Sequence, residues 1–109
     1  MCQDKSMKKY YFLKTVPPRL TFQQDMTEKE MATMKQHVEY WTEKTEQGFL
    51  IVFGPVFDPN GGYGIGIAEV DNEDQLRGFV SEDPAVKSGL MKTEYYPMRA
   101  VLPQKWYTL

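Results

Sequence analysis

The chain has 109 residues, 41% of them hydrophobic and 14% aromatic, which suits one globular domain around a single core and excludes a disordered chain. A formal net charge of −2, with lysine and arginine scattered along the sequence, excludes the basic footprint of a nucleic-acid binder. No apolar run approaches the ~18–20 residues of a membrane span, and one cysteine with one histidine leaves neither an intrachain disulfide nor the usual zinc ligand set.

Residues 1–7 are polar and are expected to be a flexible N-terminal segment, with residues 8–109 forming a single domain. They lack the apolar core of a signal peptide, so the expected location is cytoplasmic. The alternative is an exported lipoprotein in which Cys2 is the processed N-terminus.

Lys9–Val16 is rich in aromatic and β-branched residues and ends at Pro17-Pro18, which reads as a first strand. Arg19 to Met26 reads as a connecting loop. Thr27-Glu28-Lys29-Glu30 is a capping box, in which the threonine hydroxyl and the glutamate carboxylate satisfy each other's backbone amides. Met31, Met34, Val38, Trp41 and Thr45 then recur at helical spacing, with Gln36, Glu39, Glu43 and Glu46 opposite. Gly48 suits the end of that helix.

Phe49 to Phe53 contains no polar residue, and Asp58-Pro59-Asn60-Gly61-Gly62 holds the residue types of a tight reversal. The two apolar runs around it read as a β-hairpin, giving strands two and three. Pro55 has no amide to donate, so Gly54-Pro55 predicts a bulge or an edge in strand two. In strand three, Tyr63, Ile65 and Ile67 share one face and Gly64, Gly66 and Ala68 the other, where another backbone, a helix or a ligand can come close.

Asp71 to Asp74 supplies an acidic helix start, followed by a short buried stripe of Leu76, Phe79 and Val80. Asp83-Pro84 to Gly89 reads as a one-turn helix with a cap, a proline at its first position and a glycine to stop it. Thr93–Leu102 is the fourth strand, placed at an edge or bulge by Pro97.

The order β-α-β-β-α-β is the ferredoxin-like pattern of the α+β class, a four-stranded antiparallel sheet with helices on one face. The opposite face then carries Tyr, Phe and Ile side chains with no cover from this chain. A patch of that kind predicts a partner, and twofold pairing makes a homodimer through the open sheet face the expected assembly.

Candidate functional residues are few. His37 lies about 80° from the centre of the helix stripe at ~100° per residue, on the flank where a helix meets a pocket edge. Imidazole titrates nearest neutral pH, so it can act as general acid or base; a half-buried structural histidine is the alternative. Asp83 reads first as an N-cap. Ser81 offers a pocket hydroxyl against a plain helix-end serine. Arg19 offers a carboxylate-binding guanidinium against a solvated loop arginine. Tyr11, Trp41, Phe53 and Pro55 are candidates for the walls of a small-molecule pocket, with core packing the alternative for the aromatics. Gly61-Gly62-Tyr63-Gly64-Ile65-Gly66 opens a strand rather than a helix, so it makes no phosphate loop. No nucleophile stands out, since Cys2 is near the terminus and no serine has an elbow around it.

His37, Gly48 eleven residues on, Gly54-Pro55, the Gly61-Gly62 turn, and Asp83-Pro84 with Lys87 and Gly89-Leu90 together resemble the YCII-related family. The resemblance spans roughly Lys9 to Leu102 and leaves out the N-terminal residues and the Gln104–Leu109 tail. It implies a dimeric α+β barrel and an active-site dyad of a helix histidine and the aspartate of the Asp-Pro pair, here His37 and Asp83. It also implies small-molecule chemistry, since some relatives are lyase- or dehydrochlorinase-like enzymes of aromatic breakdown.

The function expected from residues and resemblance together is a small enzyme with no cofactor, in which His37 moves a proton and Asp83 holds the ring tautomer. Elimination or isomerisation next to a carbonyl is the reaction class this equipment allows. The alternative is a non-catalytic small-molecule-binding or dimerisation module.

Overall fold

The structure, a computed structural model, describes residues 8–101. The segment over residues 1–7, Cys2, Leu102 at the expected end of the fourth strand, and the Gln104–Leu109 tail lie outside the described residues. The elements run β1 (Lys9–Val16), α1 (Phe22–Asp25), α2 (Glu28–Glu46), β2 (Leu50–Val56), β3 (Tyr63–Val70), α3 (Glu73–Glu82), α4 (Pro84–Lys87) and β4 (Lys92–Met98). The strands form one antiparallel sheet in the order β2-β3-β1-β4, the ferredoxin-like arrangement, with β2 and β4 at the edges.

Local chemistry fixes most boundaries. The Thr27 hydroxyl accepts from the Glu30 amide at 3.1 Å while Glu30 accepts from the Thr27 amide at 2.9 Å, completing the capping box that starts α2. Gly48 takes a φ of 86° just after α2, a left-handed conformation that glycine adopts without a Cβ penalty. Asn72 caps α3 through the Gln75 amide. The Asp83 side chain caps α4 through the Ala85 amide, with Pro84 at the first helical position.

Two details depart from the sequence expectation, and the alternative left open for strand two is decided. The stretch Arg19 to Met26 contains the short helix α1, whose Phe22 is buried under α4 and the start of β4 with Ala85 and Met91. Strand β2 is an edge strand, one of the two outcomes that Gly54-Pro55 predicted: it runs straight through, with Pro55 opposite Gly64, because an edge position spares the missing proline amide. The register shift lies instead between Leu50 and Val52.

The second departure concerns α2. Met31 and Val38, read as part of the buried stripe, are 50% and 48% exposed, while His37 and Trp41 are buried. A polar residue can occupy a buried helix face when another element brings it a partner, and apolar spacing alone does not register such a partner. That partner is the carboxylate of Asp83.

The helices cover one face of the sheet. Tyr11, Leu13, Ala68 and Val70 meet Trp41, Leu76 and Phe79 in the main core. The small face of β3 makes this possible: a Cβ on Gly66 would stand 2.7 Å from the Trp41 ring, so glycine lets the indole lie on the strand. The other face presents Phe12, Ile67, Val52 and Tyr96 in cross-strand register, with Val52 and Tyr96 about half exposed.

Candidate functional site

The site forms where α2 meets the turn between α3 and α4. His37 projects from the middle of α2, and Asp83 ends α3 and caps α4. Their side chains, separated by 46 positions in sequence, meet with His37 Nδ1 2.8 Å from Asp83 Oδ2 and 3.0 Å from Oδ1. The aspartate is 1% exposed and the histidine 6%.

Two further donors hold the carboxylate. Trp41 Nε1 donates to Oδ2 at 2.7 Å and the Ala85 amide donates to Oδ1 at 2.9 Å. Three N–H groups thus converge on two oxygens, which meets the rule that a buried charge survives only when paired and hydrogen-bonded. The same network assigns the imidazole tautomer. Facing an acceptor, Nδ1 carries the proton, and Nε2 keeps the lone pair. Next door, Tyr40 donates to the Phe79 carbonyl at 2.8 Å, and burial, reinforced by the charge of Asp83, pushes its hydroxyl up to about 12. Tyr40 therefore stays protonated and does not compete as a base.

His37 also lines a cavity of about 190 Å³. Its walls are mainly apolar, from Phe22, Met34, Trp41, Phe53 and Met91, with Thr15, Gln23 and Tyr63 as polar interruptions. A dry cavity of about 150 Å³ holds benzene in another protein, so this one has room for a single substituted ring. No lysine or arginine among the described residues lines it. Among the described residues, no group of three His, Cys, Asp or Glu side chains is placed to hold a metal ion, and no helix is long and apolar enough to cross a membrane.

The remaining candidates divide. Trp41, Phe53 and Pro55 line the cavity beside His37. Tyr11 is buried in the main core, edge-on to Tyr95 at 5.9 Å, and does not. Ser81 is on the exposed side of α3, donating to the Gly78 carbonyl. Arg19 is committed elsewhere: Nη1 and Nη2 grip both oxygens of Glu30 at 2.9 and 2.8 Å, and Nε donates to Asp25. Sequence reasoning missed Trp41 as a donor to Asp83, although its place one turn after His37 put both on one helix face. It also missed Thr15, Phe22, Met34 and Met91 as lining residues. The two-residue alternation of β1, which puts Thr15 on the face of Tyr11 and Leu13, is the signal that could have found it.

Residues 10–99 match the YCII-related domain, and the chain belongs to that family. Among solved structures it is similar to the 5-chloro-2-hydroxyhydroquinone dehydrochlorinase of Burkholderia phenoliruptrix in complex with 2,5-dihydroxybenzoquinone. The TM-score is 0.64 at 17% identity, over 83% of this chain and 93% of that one. At that identity the likeness speaks for the fold. An uncharacterised protein of Thermotoga maritima gives a TM-score of 0.49 at 14% identity, over 84% of this chain and 99% of that one. A monooxygenase of Streptomyces coelicolor in complex with nanaomycin D gives 0.41 at 17% identity, over 92% and 96%. No curated protein matches the sequence.

Proposed function

We propose that the protein is an acid–base enzyme acting on a small, ring-sized organic molecule in the cavity beside His37. The observation that carries this reading is the orientation of His37: Nδ1 is tied to a buried carboxylate and the ring lines an apolar cavity. In the neutral imidazole, Nε2 is the basic atom. It takes a proton from a hydroxyl or from a carbon next to a carbonyl, and the electrons of the broken bond move into the substrate. The imidazolium that results faces Asp83, whose charge stabilises it. For an elimination, those electrons form the new double bond and the leaving group departs with its own pair. For an isomerisation, Nε2 returns the proton at a different carbon. The apolar walls exclude water and strengthen the electrostatic contribution. The fold this chain shares with a dehydrochlorinase that acts on a hydroxylated ring supports a site of this kind.

The test is turnover of hydroxylated and halogenated single-ring aromatics and of lactones by wild type and by His37→Gln. The expected result is a loss of about 10²–10⁴-fold in kcat with the fold intact, the usual range for a removed general base. Equal rates would remove the proposal.

A second reading, a binding module without turnover, draws on Asp83 itself. Its bonds to Trp41 and to the Ala85 amide are also what a purely structural tie between α2 and α4 needs. Ring binding by the His37→Gln variant at wild-type affinity, with no turnover by either protein, would favour it.

The open sheet face supports a proposal about assembly. We infer that two copies pair there, since Val52 and Tyr96 are half exposed beside Phe12 and Ile67 and apolar patches of this kind mark contacts. Light scattering should report a dimer that Ile67→Lys converts to a monomer; a monomeric wild type would contradict it.

A further inference from the structure

One buried polar group in the cavity has no use in the chemistry above. Thr15 is 2% exposed, points inward from β1 and lines the cavity. In the sheet it stands between Gly64 of β3 and Thr93 of β4. Gly64 also lines the cavity, and a Cβ there would come within 2.5 Å of Thr15 Oγ1, so the hydroxyl occupies the space a side chain would fill. On the other side, Thr93 Oγ1 is buried and has no hydrogen-bond partner among the described residues. The two threonines therefore do not satisfy each other. Thr15 Oγ1 makes no hydrogen bond to another described residue, and a hydroxyl that lines a cavity in this way is placed to pair with a ligand atom.

We propose that Thr15 is a specificity-determining residue that hydrogen-bonds a second oxygen of the ligand, and that the ligand is an uncharged ring carrying two oxygen substituents, one read by His37 and one by Thr15. This rests on the function proposed above and narrows its substrate class. The charge follows from the lining. Among the described residues no lysine or arginine lines the cavity, Asp83 is the buried charge behind His37, and Arg19 is held by Asp25 and Glu30. A carboxylate on the ring would enter next to a negative group with no guanidinium or ammonium to meet it, which is costly in an apolar site. A hydroxyl or a ring carbonyl finds a donor and acceptor in the threonine instead. Selectivity of this kind is large because a buried polar group left unpaired penalises the wrong ligand.

The experiment measures binding to the whole protein by calorimetry at neutral pH, with hydroquinone, phenol and 4-hydroxybenzoate as probes. Hydroquinone should bind about 5- to 10-fold more tightly than phenol, the yield of one added hydrogen bond. 4-Hydroxybenzoate should bind more weakly than phenol. In Thr15→Val, which keeps the β-branched shape, the gap between hydroquinone and phenol should close with phenol affinity unchanged, and Thr15→Ser should restore it. A gap that persists in Thr15→Val, or 4-hydroxybenzoate binding as well as hydroquinone, overturns this inference and leaves the acid–base reading standing. No binding by any of the three rings to a folded wild type overturns both.

Discussion

Helix α2 carries two contacts between an acid and a base, about two turns apart, and their surroundings differ. Near its start, Glu30 meets Arg19 with side chains 19% and 35% exposed. At its middle, His37 meets Asp83 with side chains 7% and 1% exposed. The first pair is partly open to solvent, adds to a capping box, and is screened by salt. The second is desolvated, so every hydrogen bond in it is obligatory and every vacancy is expensive. The lesson is that geometry alone does not rank the two. Arg19 and Glu30 have the better-matched bidentate contact, yet the buried pair carries the larger energetic consequence and borders the cavity.

Removing the buried acid should show the largest effect. Asp83→Ala strips the partner from His37 Nδ1, Trp41 Nε1 and the Ala85 amide together, and should cost about 3–5 kcal/mol in urea unfolding. A loss under ~1 kcal/mol would mean the network is slack. Asp83→Asn, which keeps an acceptor oxygen for part of it, should fall between the two proteins.

The exposed pair should give a smaller effect with a distinct pH signature. Hydrogen bonds from Arg19, then from the Thr27 amide, lower Glu30 from 4.5 to about 2. A carboxylate depressed in the folded state contributes stability above its unfolded value, and that contribution drains as pH falls towards the folded one. Wild type should therefore exceed Glu30→Gln in melting temperature at pH 6, with the difference shrinking between about pH 4.5 and pH 2. Added salt should narrow the difference at pH 6 as well. A difference that is flat across pH would assign the effect to helix capping alone.

The same contrast explains what the sequence disclosed. Signals local in the chain were legible: the Thr27–Glu30 capping box, the Asp83-Pro84 start of α4, the glycine-lined face of β3 and the β-α-β-β-α-β order all describe interactions over a few residues or one strand period. Contacts between distant segments were not legible from spacing or periodicity; the pairing of His37 with Asp83 came only through the family resemblance, and the structure brings the two together. The apolar stripe of α2 was drawn through Met31 and Val38 because hydrophobic spacing cannot see that a carboxylate 46 positions away will bury His37. Arg19 could not be recognised as Glu30's partner while its segment read as loop, since α1 and its buried Phe22 set the position of that arginine against α2. Thr15 looked like an ordinary strand residue until its neighbours proved to be a glycine and a buried threonine with no partner among the described residues.

The orientation of one ring carries the account, and His37 is the only histidine in the chain, so its nitrogen signals need no assignment among rivals. Nitrogen-15 NMR of the imidazole near neutral pH should show, for the neutral ring, a proton on Nδ1 that exchanges slowly and shifts downfield through its bond to Asp83, with Nε2 unprotonated. Loss of that signal in Asp83→Ala would complete the result. A neutral ring protonated on Nε2, or an Nδ1 proton exchanging as freely as in a solvated histidine, would contradict it.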